Sequence, residues 1–230
     1  MNSIMTPAVD DERMNGLRQL ATRFGASQLV SATCLARSQA AARRAGPGPL
    51  STGLGPLDEL TGGGLVPGCL NEIVVGHGGA VVTQSLLASA TGAGRFAALV
   101  DAGDGLDVDS AAASGVALEK LLWVRAADHV QALRCTETIL EADGFALLVL
   151  DLAGPAGVGA GRCLPASAWV RLQRLSRASR SVVVLLSARP LAGPLAALTV
   201  RLRRVRSRWA DSAAGDSWLE GLEPEFERIR

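Results

Sequence analysis

Short, continuous apolar runs recur along most of the chain: Leu70 to Val75, Phe96 to Asp101, Leu121 to Val124, Phe145 to Asp151, Val182 to Ser187 and Leu198 to Val205. Runs of this length without alternation predict strands buried on both faces. Helix-sized segments separate the first four, notably Asp128 to Ala142, and Gln84 to Ala90 adds a helical pattern. That order favours βαβ crossovers, and so an α/β fold with a mostly parallel, helix-covered sheet. The last run differs. Val200 and Leu202 alternate with Arg201 and Arg203, the pattern of an edge strand with one wet face.

Upstream, Asp10 to Gly25 reads as a short amphipathic helix. It has acids at its start, Met14, Leu17, Leu20, Ala21 and Phe24 on one face, and glycine at its end. Ser27 to Ser31 suits a short strand, and an alanine-rich stretch from Thr33 to Arg44 leads to the linker Ala45-Gly-Pro-Gly-Pro49. Three units follow: an N-terminal helix-strand arm at 1–45, a core at 46–210 and an acidic tail at 211–230. The last boundary is drawn by charge. Arg201, Arg203, Arg204, Arg206 and Arg208 precede six acids that occupy Asp211 to Glu227 without a lysine or arginine. The arginine stripe suits the solvent face of an edge strand, a non-specific phosphate contact, or the docking of an acidic partner or of the chain's own tail. In the tail, Trp218, Leu222, Phe226 and Ile229 alternate with acids, which suits an anchor on another surface or packing on the chain itself.

Composition narrows the classes of function. At 230 residues the chain suits one domain with extensions and needs no disulfide staples. It has no apolar run of eighteen, and Met1-Asn-Ser-Ile-Met-Thr-Pro7 lacks the blocks of a secretion signal, so the expectation is a soluble cytoplasmic protein with no membrane contact. Cys34, Cys69, Cys135 and Cys163 are widely spaced and only His77 and His129 accompany them, which suggests neither a metal site nor a disulfide framework. A net charge of +1 gives no global argument for nucleic acid, and with no tyrosine and 3% aromatics a base-stacking platform is not expected.

The candidate chemistry lies between the first strand run and its helix. Glu72-Ile-Val-Val-Gly-His-Gly-Gly-Ala-Val-Val-Thr-Gln84 occupies the strand-to-helix position of a phosphate-binding loop, but it has no lysine, and the chain's single lysine is Lys120. Such a loop needs amides aimed at phosphates and an ammonium on the transferred group's charge. Around it stand Leu50-Ser-Thr-Gly-Leu-Gly-Pro-Leu-Asp-Glu-Leu-Thr-Gly-Gly-Gly-Leu-Val-Pro-Gly68, Asn71-Glu-Ile73 and Leu99-Val-Asp-Ala102. In this order the segments resemble the bacterial RecA recombinase core over roughly Leu17 to Trp209. They also resemble the shorter, degenerate RecA-like ImuA family of accessory factors in SOS-induced mutagenesis, which the chain length fits better.

The resemblance implies a RecA-like core with its chemistry removed. Thr83 stands at the magnesium-binding hydroxyl, but Val82 replaces the phosphate lysine and Val81 the last loop glycine. Gly103 replaces the glutamate that activates water, and Asp151 matches the magnesium-shell aspartate. Thr83 and Asp151 are then vestigial, with no cofactor and no catalysis expected. Asp104, Asp107 and Asp109 read as a solvated acidic loop. Of the two loops that contact DNA in RecA, Ala188 to Pro194 is too short and Ala153 to Arg162 carries one charge, leaving DNA contact open. The arm resembles the segment with which RecA protomers hold their neighbours, which implies Leu17, Leu20, Phe24 and Leu29 as partner-binding residues. The implied partners are RecA, an ImuB-like inactive polymerase homologue and an error-prone C-family DNA polymerase. Two alternatives remain: a divergent RecA-like ATPase using Arg95 or a neighbouring subunit, and a SulA-like division inhibitor.

Overall fold

A computed structural model describes residues 48–154, 164–211 and 217–230, with 211 and 218–220 described as backbone only. The arm with Leu17, Leu20, Phe24 and Leu29, most of the Ala153 to Arg162 loop and the Trp218 side chain lie outside the described residues.

The chain runs α1 (Gly55–Thr61), β1 (Leu70–Val74), α2 (Gly79–Gly92), β2 (Ala97–Asp101), α3 (Val108–Ala113), β3 (Leu121–Arg125), α4 (His129–Ala142), β4 (Leu147–Asp151), α5 (Ala166–Ser179), β5 (Val182–Ser187), β6 (Leu198–Asp211) and β7 (Ser217–Arg228). The strands form one sheet in the order β3-β2-β4-β5-β1-β6-β7. All neighbours from β3 to β6 pair in parallel, which gives the mostly parallel, helix-covered α/β sheet that the apolar runs predict.

Alternation within each run builds two cores. In β4, Leu148 and Leu150 join the cluster under α4 and α5, whereas Leu147 and Val149 join the one under α1 and α2. A strand covered on both faces has no wet side, so its residues are apolar throughout. Where helices begin, the capping is visible: Asp128 accepts the Gln131 N–H at 2.7 Å and starts α4.

The last run departs from expectation. β6 is not the edge, because β7 pairs antiparallel with it from Val200↔Arg228 to Asp211↔Ser217. The change of charge at 211 therefore marks no structural boundary, and the acidic segment supplies the seventh strand of the core sheet. β1 pairs with β6 only through the register Asn71↔Leu198 to Val74↔Arg201. Beyond that point β6 and β7 continue as a two-stranded ribbon past the C-terminal end of β1. Bulges between Leu202 and Arg204 and between Arg208 and Trp209 bend the ribbon.

Candidate functional site

Because β1 to β6 are parallel, the loops after β1, β2, β4 and β5 open at one edge of the sheet, where open α/β folds bind ligands. After β1 only a short turn precedes α2, which begins at Gly79. Positions 79 to 83 of the loop-like pattern are already helical, and the Val81 N–H donates to the Gly78 carbonyl at 3.1 Å. The Val81 amide is thus engaged inside the first helical turn. Val81 takes no positive φ, so its β-branched side chain meets no left-handed backbone here.

Val82 is fully buried and packs with Leu86, Leu87 and Ala90. The position that would present an ammonium to phosphate points into the core. Thr83 is 5% exposed, and its hydroxyl has no hydrogen-bond partner. From the other side, β6 closes on the turn. Gly78 has φ 81°, and a Cβ built there would lie 2.6 Å from Val205 Cγ2, so the ribbon's apolar face rests directly on the glycine.

The turn after β2 is closed too. A Cβ on Gly103 would lie 2.8 Å from Gly154 Cα, so the two backbones meet where a side chain would project. Asp101 and Asp151 stand side by side in the β2–β4 register. Asp101 is nearly buried and accepts the N–H groups of Gly103 at 2.9 Å, Gly105 at 2.8 Å and Leu106 at 3.1 Å, folding the β2 loop over itself. Burial pushes the Asp151 carboxyl up to about 6, against the pull of the Ala153 N–H and with added repulsion from Asp101. Its remaining oxygen contact is that Ala153 amide at 2.8 Å, a turn cap. Thr83 and Asp151 keep oxygen ligands for a magnesium nucleotide, but the residues around them leave no cradle for phosphates. The group does not fit this site.

The acidic loop has structural partners: Asp107 caps α3, and Asp104 lies 3.7 Å from Arg125 in an exposed ion pair. Arg95 and Lys120 precede β2 and β3 and so lie at the opposite edge of the sheet, a strand length or ~15 Å from the turn. In cis neither can replace the lost ammonium.

Two features were not legible as sites. Glu72 is fully buried in β1. Its Oε1 accepts the N–H groups of Leu191 at 2.6 Å and Ala192 at 3.3 Å and the Ser187 hydroxyl at 3.3 Å, while Oε2 has no partner. Glu72 thereby pins the short loop after β5 to the sheet, a role that neither an acid inside an apolar run nor the Asn71-Glu-Ile73 segment disclosed. Asp58 is the second. Its carboxylate accepts from the Ser51 hydroxyl at 2.7 Å, the Thr52 hydroxyl at 2.7 Å and the Thr52 N–H at 2.8 Å. The Ser51-Thr52-Gly53 signature thus ties the chain to α1. Gly64 approaches Leu50 so closely that a Cβ would lie 2.4 Å from its carbonyl oxygen.

The RecA N-terminal domain model matches residues 15–157. The chain belongs to the RecA N-terminal domain family. No curated protein matches it. The matched span of this RecA-family chain includes part of the arm, the altered turn, Gly103 and Asp151, and it ends before the β6–β7 ribbon. Among the described residues, no helix is long and apolar enough to cross a membrane, and no group of three His, Cys, Asp or Glu side chains is placed to hold a metal.

The ribbon also accounts for the arginine stripe. Arg203 bonds Glu227 at 3.0 Å, Arg208 bonds Glu223 at 3.2 Å, and Arg204 and Arg206 both pair with Glu225. The Arg204 hydrogen bond holds the Glu225 carboxyl below its ordinary range. Docking of the chain's own acidic segment is therefore what these arginines do in the fold, and the edge-strand reading of the stripe is corrected. Arg201 lies opposite Glu227 in register. Phe226 packs beside Val205 on the core, while Leu222 stays 43% exposed.

Proposed function

We propose that this RecA-family protein is a non-catalytic accessory factor of the DNA-damage (SOS) response, of the ImuA kind, supporting error-prone translesion synthesis through its partners. The observation that carries this reading is the filled nucleotide site: Val82 in the core, Val205 over Gly78 and Gly154 against Gly103. Removing a single transition-state contact commonly costs about 3–4 kcal/mol, and here the ammonium and the base are lost together. What the family uses catalysis to regulate is left to binding. The arm's Leu17, Leu20, Phe24 and Leu29 are the surface for RecA. Head-to-tail filament contacts are heterologous, so a subunit carrying one half of the joint occupies a filament end without offering a good surface to the next. Capping or wedging of the RecA filament follows, with an ImuB-like inactive polymerase homologue and an error-prone C-family polymerase as the remaining partners. The ion-paired ribbon is a poor phosphate surface, because each neutralised arginine releases less counterion from DNA.

The test is binding of the purified protein to RecA, with and without single-stranded DNA and ATP, alongside RecA's ATPase rate. Binding with a fall in that rate supports the filament-directed reading, and Leu20→Asp with Phe24→Asp should abolish both. Association unchanged by the double substitution would remove the arm from this role. Magnesium-dependent ATP turnover by the protein itself, lost on Asp151→Ala, would instead favour a divergent ATPase.

A further inference from the structure

The arginines of the ribbon and those of α5 meet opposite fates. In the ribbon, Arg203, Arg204, Arg206 and Arg208 are paired with glutamates of β7. On α5 they are not. The helix Ala166-Ser-Ala-Trp-Val-Arg-Leu-Gln-Arg-Leu-Ser-Arg-Ala-Ser179 holds three arginines and no acid, and Arg180 follows as its C-cap. Trp169, Leu172 and Ser176 are buried beneath it, so Val170, Arg171, Arg174, Arg177 and Ala178 form one outward face at helical spacing. From Val170 to Arg180, every exposed position other than Val170 and Ala178 is an arginine.

Arg171 pairs at 2.9 Å with Glu137 of the neighbouring α4, an acid whose own side chain is largely buried. Among the described residues, Arg174, Arg177 and Arg180 have no ion pair. A cation in the last turn complements the helix dipole, which accounts for Arg177 and Arg180 but not for Arg174 in mid-helix. Like charges three positions apart repel, so this ridge of about 14 Å lowers the stability of the free protein until an anion meets it.

Width and neighbours select the anion. The ridge is one helix wide, and beside it α4 presents Glu141, exposed and without an ion pair among the described residues. A nucleic-acid duplex lying on α5 would cover α4 as well and bring its phosphates onto that carboxylate. Single strands are held largely by stacking on aromatic rings, and the one aromatic of α5, Trp169, is buried. An acidic peptide is narrower. Its carboxylates can follow the ridge alone, each matching the fork of a guanidinium, and Val170, 42% exposed, adds an apolar contact of the kind protein interfaces use beside arginine. The same chemistry already operates inside the fold, where arginines of β6 hold the acidic β7.

We propose that the exposed face of α5, with Arg171, Arg174, Arg177 and Arg180 around Val170, is a docking surface for an acidic segment of a partner protein. This surface is separate from the arm and does not require RecA to be the partner.

The isotopically labelled full chain is titrated with a decaglutamate peptide at low salt and followed by NMR at the arginine Nε–H groups. Arg174 and Arg177 should shift and saturate below about 1 mM peptide. Raising ionic strength from about 0.01 M to about 0.15 M shortens the screening length from ~30 Å to ~8 Å and should weaken binding several-fold. Arg174→Glu with Arg177→Glu should weaken it about tenfold or more, whereas Arg174→Lys with Arg177→Lys should keep most of it. Arg203→Gln with Arg208→Gln should change nothing, because β7 already holds those groups. No saturation, or saturation that the charge reversal on α5 leaves intact, would overturn the proposal. Tighter binding of a short random-sequence DNA duplex, abolished by the same reversal, would overturn it in favour of a phosphate surface. None of these results touches the RecA reading, which the binding experiment with the arm variants decides separately.

Discussion

At the scale of single residues, the turn after β1 and the loop after β2 are filled by packing. Val82 and Gly103 leave no gap that a lysine and a glutamate could occupy. A lysine at 82 would place an unpaired charge among Leu86, Leu87 and Ala90, and such burial is among the few single changes that cost more than about 3 kcal/mol. A glutamate at 103 would drive its Cβ into the Gly154 backbone, an overpacking worth roughly 1–3 kcal/mol. Val82→Lys and Gly103→Glu should each lower the midpoint of chemical denaturation, and the double variant should show no ATP turnover in a phosphate-release assay. Asp151 gives a second prediction. Its folded pKa is raised from 3.8 to about 6, so the folded state holds the proton more tightly. Stability from this group is fully present below about pH 4 and is lost as pH rises through 6, a change of up to about 3 kcal/mol. Asp151→Asn keeps the acceptor for the Ala153 amide and escapes that loss. Its unfolding free energy should match wild type near pH 4 and exceed it increasingly to a plateau above about pH 7, as urea titrations across that range would show.

Elements carry the next level. Since β7 completes the sheet, deleting residues 217–230 should not behave like trimming a tail. It would bare the outer edge of β6 and remove Phe226 from the core, and an exposed long edge strand is an aggregation site. The truncated protein should melt several degrees lower or aggregate on expression, as light scattering and thermal unfolding would show. Replacing Arg203 and Arg208 with alanine should shift stability by less than about 1 kcal/mol, because both ion pairs are exposed. The same contrast explains what could be read in advance. Buried parallel strands announce themselves locally: Val182 to Ser187 coincides with β5, and the runs before it place β1 to β4 to within two residues. The helix-sized segment Asp128 to Ala142 coincides with α4 and its cap. β7 was illegible because its reasons are non-local. Ser217-Trp-Leu-Glu-Gly-Leu-Glu-Pro-Glu-Phe-Glu-Arg228 reads as a tail that anchors on another surface or on the chain itself, and it becomes a strand only when the arginines of β6 stand opposite its glutamates. The site divided the same way. That the turn after β1 holds no lysine could be read from residue types, whereas the closing contacts of Val205 on Gly78 and Gly154 on Gly103 join positions that only the fold brings together.

For the whole molecule, the contacts that fill the turn after β1 and its surroundings come from four elements, α2, the β6 ribbon and the loops after β2 and β4, and that makes a sharp expectation about nucleotide. Val82 of α2 packs into the core, the β6 ribbon covers Gly78, and the β2 and β4 loops close on each other at Gly103 and Gly154. No single substitution reopens all four. A ligand that binds only the folded state raises stability by about 2.7 kcal/mol when present at 100 times its Kd. For a chain of this length each kcal/mol moves Tm by about 2–4 °C. A working site with a Kd on the order of 10 μM would therefore raise Tm by several degrees in about 1 mM magnesium ATP. The expected shift is less than ~1 °C, and it should remain so in Asp151→Ala, since Asp151 here caps a turn. A shift of several degrees abolished by Asp151→Ala would mean that the ribbon lifts from Gly78 to admit a nucleotide. In that case the closure would be a gate, and the catalytic reading would regain its footing. Scanning fluorimetry of the wild type and this one variant separates the two, because a filled core and a movable lid differ in what ATP can stabilise.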